Sequence, residues 1–257
     1  MDACPKSPRI PKEIECAEDP CHKKCDDKPK PCIDSCKLRE CITDSSAVEH
    51  VVLLNMPFLQ GDQEAKILHC IYDLQFNFCS VEALVVGRVL NKVENVTHAL
   101  LIRFSTVETL AGFSKSEALS KIMCLMSPYI HGAIVVDYVS ATGHLDTSCK
   151  EPTCLTITLM RRRKGVSPGE MDCALHSLKT LADGFCFVED FTFGSNLFIS
   201  GDKYFTNGFA GFTKSLCDLD KLLEDVQYSK LLCSVLPLSC STVTVNVLAF
   251  KPIKACL

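Results

Sequence analysis

The sequence predicts an α+β protein in which two βαββαβ units bring their antiparallel sheets together face to face. Three observations carry that prediction. Short β-branched, apolar strands alternate with apolar stripes at helical spacing, always in the same order. The order runs twice, with Gly87 and Gly194 in the same place in the two halves. The strands are apolar on both faces, so each sheet needs a second cover besides its own helices.

Taken in order, "AVEHVVLLNMPF" from Ala47 is a β-branched strand. Asp62 is placed to cap a helix whose apolar face is Ile67, Leu68, Ile71, Leu74 and Phe78. "VEALVVGRVL" and "THALLIRFS" are the next two strands. A helical region follows from Val107 to about Met126, and "GAIVVDYVS" ends the first unit. The second unit opens with the strand "CLTITLMRRR". Ser167-Pro168-Gly169-Glu170 is a capping box with proline at the first helical position. The helix behind it carries Met171, Ala174, Leu175, Leu178, Leu181 and Ala182 as one stripe. "FVEDFTFGSN" and "TNGFAGFTKS" are strands, "CDLDKLLEDVQYSKLLCSVL" is a helix, and "STVTVNVLAF" is the last strand. Phe104 is matched with Phe212, and Val136-Asp137 with Val245-Asn246, within a slip of one or two residues. Each unit is the ferredoxin-like split βαβ, with both helices on one sheet face. The expected division is a Cys/Pro-rich extension over 1–46, one domain over 47–141 and a second over 153–250, with both sheets packed into a barrel within one chain.

The stretches "VEHVVLLNM", "VGRVLN", "VTHALLIRFSTVETL" and "VVDYV" resemble the stress-responsive A/B barrel domain (Dabb), a dimeric α/β-barrel family found widely in plants. The resemblance is close over 47–140 and looser over 153–250, as in plant proteins with two such domains in tandem. For activity the resemblance implies polyketide cyclisation, with a histidine and a tyrosine as acid–base catalysts on the helix after the third strand. Here those places fall on Phe113 and Leu119, and in the second half near Leu222 and Tyr228, so no histidine serves. Two family histidines remain, His50 on the first strand and His98 on the third, matched to pocket-facing positions. Their counterparts in the second half are taken to be Ile157 and Thr206. A buried, hydrogen-bonded histidine is the simpler reading of each, and general base catalysis the alternative. Phe113 and Leu119 join them as expected lining of an apolar ligand pocket.

Composition removes several other classes. A net charge of −4 gives no electrostatic footprint for nucleic acid. The basic run Arg161-Arg162-Arg163-Lys164 is read as a solvated strand end rather than a phosphate site. No apolar stretch approaches the roughly 20 residues that span a bilayer, and no signal-peptide core opens the chain. A cytoplasmic protein without membrane partners is expected, with a peroxisomal alternative from the terminal "ACL". There is no phosphate-cradling glycine loop, no GxSxG elbow and no HExxH helix. Asn95-Val96-Thr97 fits a glycosylation sequon, expected to be unused without a secretory route. No cofactor is expected.

Seven of the 18 cysteines precede residue 42, and the scattered remainder read as small hydrophobes. From Cys16 through Cys21, Cys25, Cys32, Cys36 and Cys41 the gaps form a palindrome. A nested hairpin, Cys21–Cys36 and Cys25–Cys32 closed by Cys16–Cys41, fits that symmetry and resembles the twin-CxxxC hairpin of plant α-hairpinins. A reduced, disordered tail and a thiolate zinc site are the alternatives, and spacing alone does not choose among them. The sequence as a whole predicts a non-catalytic, stress-associated A/B barrel with an apolar cavity, monomeric through its internal pseudo-dimer. The alternative is a cyclase or lyase working through His50 or His98.

Overall fold

The structure, a computed structural model, describes residues 47–140, 154–198 and 204–252. The Cys-rich stretch from Cys16 to Cys41 and the inter-unit linker lie outside the described residues. The first four strands are β1 (Val48–Asn55), β2 (Val81–Val93), β3 (Val96–Phe104) and β4 (Gly132–Val139). Helices α1 (Gly61–Tyr72) and α2 (Leu74–Asn77) follow β1, and α3 (Val107–Ser114) and α4 (Glu117–Met126) follow β3. The later strands are β5 (Cys154–Arg162), β6 (Val188–Ser195), β7 (Asn207–Thr213) and β8 (Ser239–Ala249). Helix α5 (Pro168–Ala182) follows β5, and α6 (Leu216–Glu224) and α7 (Val226–Val235) follow β7.

All eight strands join one antiparallel sheet in the order β4-β1-β3-β2-β8-β5-β7-β6. The sheet curls until its edges meet, where Tyr138 and Asn196 form a bridge and Leu197 N–H donates to the Asp137 carbonyl at 2.7 Å. Strand alternation then separates three cores. Val51, Leu53, Leu101, Val136, Leu155, Ile157, Phe212 and Val245 fill the inside of the curl. Val48, Leu54, Ile102 and Phe104 face α1 to α4, and Met160, Phe191 and Phe209 face α5 and α7. This is an α+β, ferredoxin-like barrel architecture.

Gly87 and Gly194 sit where the sheet joins. A Cβ on Gly87 would lie 1.8 Å from the Leu248 carbonyl oxygen, and one on Gly194 2.3 Å from that of Val139. Leu248 and Val139 stand at corresponding ladder positions, opposite Cys154 and Val48. Each glycine thus admits the backbone of a strand from the other half, which no side chain would allow.

Local chemistry accounts for the departures from expectation. Helix α1 begins at Gly61 behind an uncapped Gln60, so Asp62 lies in the first turn rather than at the cap. Its negative charge there complements the helix dipole instead. Phe78 falls beyond α2 in extended backbone, although it still packs on the same core. The helical region over 107–126 is two helices, because Ser116 accepts from Leu119 N–H and starts α4. The later helix divides likewise, where Asp225 accepts from the N–H groups of Gln227 and Tyr228. The capping box at Ser167 and Glu170 forms as expected.

The ladders shift three pairings by one residue, the first of them within the slip expected. Phe104 lies opposite Val48, whereas Thr213 rather than Phe212 lies opposite Cys154. The ladder position of His50 is filled in the second half by Thr156, not Ile157, and that of His98 by Asn207, not Thr206. A one-residue slip moves a side chain to the opposite face, so Ile157 is interior core while Thr156 faces the helices.

Candidate functional site

His50 points from β1 to the helix-covered side of the sheet, as the alternation with interior Glu49 and Val51 requires. Asp137 is its cross-strand neighbour on β4. The two meet, His50 Nδ1 donating to Asp137 Oδ1 at 2.5 Å, with both side chains mostly buried. With the proton on Nδ1, the imidazole lone pair is on Nε2. A base of that kind is chemically able to accept a proton from a bound molecule.

Its surroundings leave little room for one. The Phe104 and Phe113 rings lie 6.5 and 6.3 Å from the His50 ring, and Phe78 packs edge-on against Phe113 at 5.3 Å. Phe113 is 2 % exposed, and Leu119 packs against the same core. Both therefore sit on the helix side with His50, as hydrocarbon and not as proton carriers. In the second half Leu222 on α6 and Tyr228 on α7 are likewise buried in the core. Burial pushes the Tyr228 hydroxyl pKa up, away from acid–base use near neutrality.

His98 belongs to a different cluster, on β3 beneath α1. It is 2 % exposed, its Nε2 donating to Glu64 Oε1 and its Nδ1 accepting from Thr97 Oγ1, both at 2.9 Å. Glu64 also pairs with Arg88. Arg88 holds the Glu64 carboxyl below its ordinary range, and burial holds the His98 imidazole below its own. Both ring nitrogens are thus engaged inside the protein. The arrangement ties α1 to β2 and β3 and offers a ligand no free atom of His98.

A third polar cluster lies inside the curl. Arg103 on β3 is directly opposite Glu49 on β1, and both side chains are fully buried. Arg103 Nε donates to Glu49 Oε1 at 2.7 Å, and its Nη2 to Asp190 Oδ2 of β6 at 3.0 Å. Tyr138 and Thr192 share a hydroxyl hydrogen bond of 3.0 Å beside them, again between the two halves. Burial, opposed by Arg103, raises the Glu49 carboxyl above its ordinary value. Sequence reading passed over this cluster. The signal was present, since Glu49 and Arg103 each interrupt an apolar strand at the parity of its interior residues.

A groove of about 600 Å³ lies against α1 and the chain that follows β8. None of His50, His98, Phe113 and Leu119 lines it. The described residues hold no grouping of three or more His, Cys, Asp or Glu side chains suited to a metal ion. No described helix is long and apolar enough to cross a membrane.

The chain matches no protein-family model and no curated protein. Solved structures do resemble it. A candidate monooxygenase from Fusobacterium nucleatum superposes with a TM-score of 0.61 at 7 % identity, covering 81 % of this chain and 94 % of that one. A candidate monooxygenase from Lactobacillus acidophilus gives 0.57 at 8 % identity, covering 79 % and 93 %. An anthrone oxidase-like protein gives 0.54 at 10 % identity, covering 81 % and 92 %. Coverage on both sides extends the likeness beyond either four-stranded half. At such identities the likeness is one of fold, and chemistry has to be read from the side chains.

Proposed function

We propose that this protein is a non-catalytic barrel of the stress-responsive A/B type that binds a small, largely apolar molecule without transforming it. The observation that carries the reading is Phe113, whose buried ring occupies the space beside His50 where an acid–base partner would have to stand. Leu119 adds hydrocarbon to the same core. A lone base without a matching proton donor, in a site packed with aromatic rings, is poorly equipped to turn over a polyketide. Kinship to the plant Dabb proteins is supported by the strand motifs and by the barrel architecture. Descent from a duplicated unit is supported by the matching strand orders β4-β1-β3-β2 and β8-β5-β7-β6 and by the paired glycines at the joins. On this reading the chain is a monomer, and cytoplasmic.

Supplying a linear poly-β-ketone from a polyketide synthase and following the product profile tests the proposal. No acceleration of aromatic acid formation is expected. Acceleration that disappears in His50→Ala would overturn it.

The second reading, a cyclase or lyase using His50 as base, is favoured by one contact, the 2.5 Å bond from His50 to Asp137. That carboxylate would stabilise an imidazolium formed by proton transfer. His98 is poorly placed for the role, because both its nitrogens are engaged.

A further inference from the structure

The groove against α1 has a composition that points to a class of ligand. Helical spacing builds its floor, since Lys66, Ile67 and Cys70 lie three, four and seven residues after Gln63, on one face of α1. Leu125 of α4 forms one wall and Phe250, just after β8, another. The Phe250 backbone N–H donates to the Val86 carbonyl at 2.7 Å, and its ring meets the His69 imidazole edge-on at 6.5 Å. That wall is therefore anchored at both backbone and ring. Leu125 is 53 % exposed, a large apolar side chain left in water at the mouth of a concave, largely apolar surface.

Charge in the groove is one-sided. Lys66 and Lys251 belong to its lining, and among the described residues no aspartate or glutamate does. That is notable in a chain whose net charge is −4. Of the nearby carboxylates, Glu64 faces the sheet and pairs with Arg88 and His98, while Asp73 is held 3.4 Å from the lining residue His69. A ligand seated here meets hydrocarbon from Ile67, Leu125 and Phe250 together with the Lys66 ammonium.

We propose that this groove binds a small amphiphilic anion, an aliphatic carboxylate whose chain lies along Ile67, Leu125 and Phe250 and whose head group meets Lys66. The proposal rests on the small-molecule reading above and gives it a location and a ligand class. Affinity comes mainly from removing the ligand chain and Leu125 from water, and the lysine selects the anion.

Calorimetric titration of the full chain with dodecanoate, below its micelle concentration, tests the proposal, with dodecanol as the neutral comparison. One dodecanoate per chain is expected, bound about tenfold more tightly than dodecanol, the ratio set by one charge-assisted hydrogen bond. Lys66→Gln should weaken dodecanoate about tenfold and leave dodecanol unchanged. Leu125→Glu, at an exposed position that tolerates the change, should abolish dodecanoate binding by setting a like charge in the groove. Equal affinity for the two probes overturns the anion class. Binding indifferent to both substitutions, or no binding of dodecanoate, overturns the site. Should the protein from its native source still carry another small molecule, the small-molecule reading survives that failure.

Discussion

Replacing Arg103 with methionine tests the interior most severely, because it removes a fully buried guanidinium while keeping much of its volume. Glu49, with no exposed surface, and Asp190, with a side chain 15 % exposed, would be left facing each other without a cation. Breaking a buried ion pair from one side costs about 3–5 kcal/mol. In a chain of this size each kcal/mol moves the melting temperature by about 2–4 °C, so Arg103→Met should lower it by roughly 6–20 °C. Thermal unfolding followed by circular dichroism at neutral pH measures this. Glu49→Gln should behave differently, and the sign follows from linkage. Burial raises the Glu49 carboxyl above its ordinary value of 4.5, so the fold favours the protonated form. That stabilisation is complete below the ordinary value and is lost as pH rises through the folded-state value. Glu49→Gln should therefore gain stability relative to the parent as pH is raised from about 4 to about 8. A melting temperature for Arg103→Met within about 2 °C of the parent would refute a sealed interior cluster. So would a Glu49→Gln variant that loses ground steadily with rising pH.

Gly87→Ala should cost on the order of 3 kcal/mol in denaturant unfolding, because its Cβ has no place beside the Leu248 carbonyl. Gly112→Ala in α3, with nothing within 4 Å, should instead be neutral or stabilise by up to about 1 kcal/mol. The His98 imidazole is held below its ordinary 6.5 by burial, so in a proton-detected titration it should still be neutral at that pH. Its contribution to stability should be present above that value and fall away as pH drops below it, and His98→Gln should flatten that acid limb. Residues 47–140 expressed alone should sediment as a self-associated species. Val51, Leu53, Leu101 and Val136 would otherwise lose the cover that the other half gives them.

Order and type of element were legible because the chain punctuates itself. A short β-branched, apolar run marks "HVVLLNM" as a strand, and Ser167 to Glu170 announces α5. The breaks at Ser116 and Asp225 were equally present as capping residues, but continuous apolar stripes on either side masked them. Register was harder, because strands that are apolar on both faces align almost as well one residue out, as Phe104 against Phe212 shows. Only the ladder settles which face a residue takes. Gly87 and Gly194 were visible as a matched pair, yet their reason lies in contacts between distant strands. Of the site, His50 and His98 stood out by residue type. Their partners Asp137 and Glu64 lie 87 and 34 residues away and come together only through β4 and α1. The α1 groove was not legible at all, because Leu125 and Phe250 reach it from separate segments.

Native mass spectrometry of the protein purified from its native source bears most directly on the central claim, a barrel completed within one chain that holds a small molecule. The account predicts a single 28.3 kDa chain carrying one small organic molecule, released unchanged on denaturation. A species of twice that mass, or a chain bearing nothing, would contradict it.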